Sequence, residues 1–300
     1  MRDAQAAAET AGPAGLKTPR ALLEGNLARA CMAEMAGTFI LVFLGCGVVH
    51  AAVLAKAQSG LFEVAIVWGI GVALAIHATA AISGAHVNPA MTAAFAFAGR
   101  FPKRHVIPYW VAQVAGGFLA AAILHAIFGS LVASVEAAGG ITRGAPGSEL
   151  TAMCYCEYFP NPALGTDPEA HRKVTELGAF FAEVIGTGVL AFVVFSLSEQ
   201  SNSKAPGSSM TPALVGLTVA ALISVIAPLT QACFNPARDF GPRIFVWLWG
   251  WGSIAIPGPR GGFFTVYILA PILGALIGAA IFRVVLQPSY AAAESTKPSA

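Results

Sequence analysis

Two stretches of the chain contain the same triplet: "SGAHVNPAMT" at residues 83–92 and "CFNPARDFGPR" at residues 233–243. Asn is a favoured helix N-cap, and Pro is favoured at the first helical position because its missing N–H would have no partner there. Each Asn-Pro-Ala triplet therefore predicts the start of a helix. Both stretches lie between strongly apolar segments, and charged residues in such surroundings need a specific role.

The composition places the chain among integral membrane proteins. Of its 300 residues, 56% are hydrophobic and 11% are charged, whereas a soluble domain carries about 25% charged residues. A bilayer core about 30 Å thick is crossed by a helix of about 20 apolar residues. The net charge of +2 gives no reason to expect a nucleic-acid partner. We predict six spans, at residues 30–56, 61–82, 106–132, 176–198, 210–230 and 263–286.

The basic residues indicate how the chain is oriented. Most of them precede the first predicted span, follow the second and fourth spans, or follow the sixth, and these positions are all on one side of the membrane. By the positive-inside tendency this side is cytoplasmic, so both termini are predicted to be cytoplasmic. Residues 1–26 and 288–300 are predicted to be flexible cytoplasmic tails.

The sequence contains an internal repeat. The segment "AEMAGTFILVF" begins at Ala33 and "AEVIGTGVLAF" begins at Ala182, and the Asn-Pro-Ala triplets at Asn88 and Asn235 follow them in the same order. The two copies cover residues 27–132 and 174–287. Because each copy holds three spans, an odd number, the second copy enters the membrane from the opposite side. The pattern predicts an inverted repeat of three plus three helices.

Each triplet is predicted to begin a half-helix. A helix from Asn88 to Gly99 would be about 18 Å long and cannot cross the bilayer. We therefore predict an all-α membrane protein with six transmembrane helices and two re-entrant half-helices whose N-termini meet near the midplane. The extended segment before each half-helix would offer carbonyl acceptors, and the asparagines would offer donors. Such a path suits neutral molecules, since the positive helix ends exclude cations and protons.

These features together resemble the major intrinsic proteins, which are the aquaporins and aquaglyceroporins. The resemblance rests on the paired stretches quoted above and on A-E-x-x-G-T at the start of each half, and it covers residues 27–287. It implies that this range is a channel domain with one pore per subunit, in a homotetramer within the lipid bilayer of the plasma membrane, the inner membrane of a bacterium. The motif residues that it implies are Asn88, Pro89, Ala90, Asn235, Pro236 and Ala237.

The resemblance also implies a selectivity filter of Trp68, Ile223, Ala232 and Arg238, matched by spacing to the nearer asparagine. A guanidinium donates hydrogen bonds and keeps its charge. One guanidinium among otherwise apolar walls suits a solute with hydroxyls on one edge and carbon on the other, such as glycerol. Bacterial glycerol facilitators usually combine Trp with Gly and Phe, whereas this chain has Ile223 and Ala232. That set looks more like plant nodulin-26-like channels, which pass glycerol and some metalloid hydroxides.

Four further charged residues are assigned supporting roles. Asp239 lies in the first turn of its half-helix and can pair with Arg243 one turn later. Glu34 and Glu183 occupy matching places in the two halves, and carboxylates inside spans are costly unless they are satisfied. We expect each to accept backbone N–H groups from a re-entrant loop, and the alternative is a proton relay.

Other residues suggest weaker hypotheses. His86 could titrate and gate the inner mouth, although a hydrogen-bonded packing role is favoured. Cys154 and Cys156 could bind a soft metal, but C-x-C alone is a poor metal motif. Cys233 lies beside Ala232, so a mercurial could block the pore.

The predicted function is a passive channel for glycerol and other small uncharged solutes, which also passes water and excludes ions and protons. The alternative is a channel used mainly for water or for neutral metalloid hydroxides such as arsenous acid. We expect no enzyme activity, catalytic residue, cofactor or metal.

Overall fold

The computed structural model describes residues 26–207 and 209–290. The predicted N-terminal tail up to residue 25 and the C-terminal segment 291–300 therefore lie outside the described residues. The sequence predicts residues 288–290 as part of the second tail, whereas they form a helical turn. Tyr290 packs near Phe282, with the ring centroids 6.3 Å apart, so these residues lie against the end of the sixth span.

Six long apolar helices account for the predicted spans. They are Leu27–Ala55 (α1), Leu61–Ser83 (α2), Val106–Gly139 (α4), Glu176–Leu197 (α7), Thr211–Thr230 (α8) and Ala270–Val285 (α10). The last one continues from a π-helical segment, Thr265–Leu269. With the helical turns that adjoin them, which extend the third to Lys103–Gly139 and the sixth to Thr265–Tyr290, all six are long and apolar enough to cross a membrane, which agrees with the sequence prediction.

The third span is longer than predicted. Helix α4 continues past residue 132 to Gly139, where Gly140 adopts a left-handed φ of 61° and ends it. The extension carries Glu136, which is buried and accepts hydrogen bonds from Arg143 and Thr151. Because these partners come from a later part of the chain, local hydropathy does not reveal why the helix continues.

Two short helices follow the Asn-Pro-Ala triplets at Asn88 and Asn235, whereas the same triplet at Asn161 begins a single helical turn, Pro162–Leu164. They are Pro89–Phe97 (α3) and Pro236–Val246 (α9). Their lengths of about 14 and about 17 Å are too short to cross a bilayer core. The Asn88 side chain accepts from the Ala90 N–H at 2.8 Å, and the Asn235 side chain accepts from the Ala237 N–H at 3.0 Å. Both half-helices therefore begin where their capping asparagines predict.

The loop between α4 and α7, residues 140–175, is folded into the molecule. We call it the third loop. It contains two short helices, Glu149–Ala152 (α5) and Pro168–Lys173 (α6). Its segment 154–156 is buried in an apolar cluster beside α4 and the end of α9. Residues 151–160 of the third loop are thus part of the protein core, whereas α6 lies largely at the surface.

Glycines allow the helices of each half to approach closely, and the same contacts occur in both halves. A Cβ on Gly116 of α4 would lie 2.2 Å from the Met35 carbonyl oxygen, and one on Gly274 of α10 would lie 2.3 Å from the Val184 carbonyl oxygen. In lipid, close backbone packing is a main source of helix association. These contacts explain why the two halves share their Gly spacing.

We predict that Gly216→Ala destabilises the protein. A Cβ at this position would lie 2.2 Å from the Gly69 carbonyl oxygen on the facing helix, and such overpacking costs about 1–3 kcal/mol. The midpoint of thermal unfolding in detergent should fall. The matched control is Gly60→Ala, where a Cβ meets no atom within 4 Å. Equal unfolding midpoints for the two variants would contradict the close packing of α2 against α8.

Candidate pore and selectivity filter

The first re-entrant loop, residues 84–88, is held by hydrogen bonds to the Glu34 carboxylate. The His86 N–H donates to Glu34 Oε1 at 2.9 Å, and the Val87 N–H donates to Glu34 Oε2 at 2.6 Å. Gln113 Nε2 also donates to Oε2, at 2.7 Å. The carboxylate therefore satisfies backbone donors at a depth where lipid offers no partner.

The second re-entrant loop, residues 231–235, is held by Glu183 in the same way. The Cys233 and Phe234 N–H groups each donate to one carboxylate oxygen at 2.9 Å. Thr230 Oγ1 donates to Oε1 at 2.6 Å. This bonding corresponds to the predicted structural role of the two glutamates, and neither forms a side-chain relay to the other in the described residues.

Both loops adopt a backbone conformation that turns carbonyl groups away from the glutamates. Left-handed φ values occur at Ala85 (49°) and Val87 (44°), and at Ala232 (63°) and Phe234 (53°). In a trans peptide the N–H and the preceding C=O point in opposite directions. Because the N–H groups face the carboxylates, the preceding carbonyls, including those of Ala85 and Ala232, point toward the cavity that both loops line. This arrangement produces the predicted row of acceptors.

The two capping asparagines join the halves at the centre. Asn88 Nδ2 donates to the Phe234 carbonyl oxygen at 2.9 Å, and Asn235 Nδ2 donates to the Val87 carbonyl oxygen at 2.8 Å. Each asparagine thus caps its own half-helix with its oxygen and bonds the opposite loop with its nitrogen. The two half-helix N-termini meet, as the sequence predicts.

A cavity of about 700 Å³ passes both asparagines. At one part of its wall lie the four residues assigned to the filter, Trp68, Ile223, Ala232 and Arg238, and elsewhere it reaches Ser198 and Asn202 in the connection between α7 and α8. All four filter candidates are buried. The Arg238 guanidinium carbon lies 4.0 Å from the centroid of the Trp68 ring. The wall of one cavity therefore contains all four residues that the family resemblance assigned to the filter.

Glu157 is a residue of this site that sequence reasoning missed. Its Oε1 forms an ion pair with Arg238 Nη1, and both side chains are almost fully buried. The available signal was the buried arginine itself, which needs a counter-charge, together with a carboxylate in the third loop. Nothing in the local sequence shows that the loop folds back to α9, so the pairing became visible only in three dimensions.

Asp239 and Arg243 fix the backbone on which Glu157 lies. Arg243 donates to both Asp239 oxygens, at 2.8 and 2.9 Å. It also donates to the carbonyl oxygens of Glu157 and Ala255. Asp239 Oδ1 accepts from the Glu157 N–H at 2.7 Å. The predicted Asp239–Arg243 pair therefore does more than stabilise α9, because it also anchors the third loop.

The weaker hypotheses gain little from the structure. The His86 ring lies among Phe95, Phe101 and Tyr109, with centroids 4.6–5.2 Å away, which favours packing over gating. Burial raises the pKa of the Cys156 thiol to about 11, so the thiolate that a soft metal needs is disfavoured. Within residues 26–207 and 209–290, no group of three or more His, Cys, Asp and Glu residues could hold a metal ion.

We predict that Glu183→Gln destabilises the second re-entrant loop. The amide can accept through one oxygen only, so one backbone N–H of the loop would face another donor, at a cost of about 1–3 kcal/mol. The unfolding midpoint in detergent should fall, whereas Glu169→Gln, an exposed carboxylate on α6, should leave it unchanged. Unaltered stability accompanied by loss of a proton flux would instead support the relay hypothesis.

Comparison with known proteins agrees with this geometry. The chain is 41% identical over 272 residues to a glycerol uptake facilitator protein of Pseudomonas aeruginosa, which covers 89% of this chain and 93% of the relative. It is 40% identical to a propanediol uptake facilitator of Citrobacter freundii, over 87% of this chain and 93% of the relative.

A solved structure shows the same fold. The aquaglyceroporin of Plasmodium falciparum superimposes with a TM-score of 0.75 and 23% identity, covering 89% of this chain and 100% of that one. The family model of the major intrinsic protein matches residues 22–282. The chain is therefore a member of the major intrinsic protein family.

Proposed function

We propose that this protein is a passive transmembrane channel for glycerol and other small uncharged solutes, and that it also passes water and excludes ions and protons. The observation that carries the proposal is the meeting of two half-helices through Asn88 and Asn235 beside a cavity that contains Arg238. The names of the relatives, which are uptake facilitators for glycerol and propanediol, support the same solute class.

Solute selection follows from the two kinds of wall at the filter. The Arg238 guanidinium supplies donors, and the loop carbonyls supply acceptors along one side. Trp68, Ile223 and Ala232 belong to one apolar cluster and form the other side. A polyol can place its hydroxyls against the donors and acceptors and its carbon edge against the apolar side chains. It therefore replaces its water hydrogen bonds as it enters.

Ions and protons are disfavoured at the centre. The two half-helix N-termini present partial positive charge to the same point. The asparagine Nδ2 groups are donors only. A water molecule between them accepts their hydrogen bonds through its oxygen, and it cannot pass a proton to them because they have no acceptor. A cation would lose its hydration shell without gaining a negative ligand. These features support passage of neutral molecules alone.

The surface and the distribution of charge support the membrane location. Large apolar side chains are exposed on the outer faces of several helices, among them Phe62 at 68% and Val225 at 71%, as expected for contact with lipid tails. We propose the inner membrane of a bacterium, cytoplasmic termini on the basis of the basic residues, and a homotetramer with one pore per subunit. Residues 27–287 form the channel domain in this proposal.

A second candidate function is supported by two filter residues. Compared with a filter that has Gly and Phe, Ile223 is larger than the Gly and Ala232 is smaller than the Phe. The side chain at position 232 of the filter is therefore small. We keep as the alternative a channel used mainly for water or for neutral metalloid hydroxides such as arsenous acid. Its solutes share with glycerol a compact, uncharged set of hydroxyls.

The proposal is tested with proteoliposomes that contain the purified protein. In hyperosmotic glycerol we expect shrinkage followed by fast reswelling, measured by light scattering, because glycerol enters through the pore. Empty vesicles are the control. Reswelling no faster than the control would reject a glycerol channel, and fast shrinkage without reswelling would indicate a water channel. Arsenous acid and urea in the same preparation distinguish the alternative.

We predict that Arg238→Ala in a Glu157→Gln background admits solutes that the parent excludes. Removing the guanidinium enlarges the filter and removes its charge, while the second change avoids an unpaired buried carboxylate. Entry of a larger polyol, or leakage of sodium, should rise by about tenfold. Glu157→Gln alone and Arg172→Ala, on the exposed side of α6, are the controls. Entry of the larger polyol and of sodium no faster than in Glu157→Gln alone would refute the assignment of Arg238 to the filter.

A further inference from the structure

Gln231 has a backbone conformation that favours glycine. It ends helix α8 with φ 61° and ψ 0°, in the left-handed region where a side chain carries a conformational cost. The position four residues before the other capping asparagine is Gly84, with φ 85°. The two halves thus make the same turn, but only the second keeps a long polar side chain there.

The side chain of Gln231 bonds to the third loop at two points. Its Oε1 accepts from the Tyr158 N–H at 2.9 Å, and its Nε2 donates to the Met153 carbonyl oxygen at 3.3 Å. Both amide groups are therefore used, and both partners lie close to Glu157 in sequence. The conformational cost of a side chain at this position is offset by two hydrogen bonds to the third loop, which glycine could not make.

Two neighbouring peptide groups of the third loop are held from opposite sides. The Glu157 N–H donates to Asp239, which follows the filter arginine, and the Tyr158 N–H donates to Gln231, which precedes Ala232 of the filter. Because Asp239 fixes the peptide group before Glu157 and Gln231 fixes the one after it, the backbone of Glu157 has little freedom to rotate. The Glu157 carboxylate, which pairs with Arg238, is consequently aimed from a rigid support.

We propose that Gln231 is a positioning residue for the selectivity filter, which acts through Glu157 on Arg238. The inference rests on the proposed channel function. Arg238 has two lateral supports, the Trp68 ring at 4.0 Å and the Glu157 carboxylate. Without Gln231, the Glu157 backbone keeps its bonds to Asp239 and Arg243, but the next peptide group is released. The Glu157 side chain then shifts, and the guanidinium is free to enter the lumen. Glycerol, being wider than water, loses more permeability when the lumen narrows.

The test compares glycerol and water permeability in proteoliposomes for Gln231→Gly and Gln231→Asn. Gly and Asn both tolerate the left-handed backbone, and neither reaches the third loop. We expect the glycerol-to-water permeability ratio to fall by at least about threefold in both variants, the size of effect that the loss of one hydrogen bond produces. The matched control is Asn161→Ala, which removes a bond from the same loop to the Ala227 carbonyl oxygen but leaves Tyr158 held. Its ratio should stay at the wild-type value.

A second measurement separates positioning from general stability. In a Glu157→Gln background, Gln231→Gly should produce no further change in the ratio, because both substitutions act on one pathway. An additive change would overturn the proposal, as would a wild-type ratio in both Gln231 variants or failure of both to fold. A wild type that does not accelerate glycerol entry would instead reject the proposed function, so the two failures are distinguishable.

Discussion

The structure depends on satisfying non-helical backbone inside the membrane. Lipid cannot hydrogen-bond the exposed N–H groups of a re-entrant loop, so each loop requires an acceptor from the protein. Glu34 and Glu183 are these acceptors, and each bonds two successive N–H groups of its loop. Once the N–H groups face the carboxylates, the carbonyls turn toward the cavity. The costly buried charges and the polar lining of the path are thus two consequences of one arrangement.

The two halves share this arrangement but differ in what surrounds it. In the first half, the Gln113 amide donates to Glu34 and to Thr92. The side chains that support Glu34 are therefore uncharged. The residue of α9 that corresponds to Thr92 is Asp239, four positions after its asparagine, and it bonds Arg243. Only the second of these two networks contains ion pairs. The inverted repeat supplies a symmetric frame, and the charges are added on the side where Arg238 meets the solute.

Much of the fold could be predicted from the sequence because its determinants are local. The apolar runs give the long helices, the Asn-Pro-Ala triplets at Asn88 and Asn235 give the starts of α3 and α9, and the repeat of three spans gives the inversion. The filter residues were grouped by their spacing from Asn88 and Asn235 through a family resemblance. Glu157 and Gln231 were missed because their roles depend on where the third loop folds. Hydropathy and helix signals describe neighbours in sequence, whereas this loop bonds residues more than half a repeat away.

The electrostatics of the filter follow from the same loop. Arg238, Glu157, Asp239 and Arg243 form two buried ion pairs, so the cluster as a whole carries no net charge. A neutral cluster of this kind repels cations weakly at long range. Its effect is local, because the guanidinium lies beside the cavity while the carboxylates lie behind it in contact with the third loop. A passing solute therefore meets fixed donors without a counter-ion. A cation at the same place would lose its water and gain no ligand, a cost that does not depend on net charge. Selectivity in this arrangement comes from orienting buried charges, and the third loop is the element that orients them.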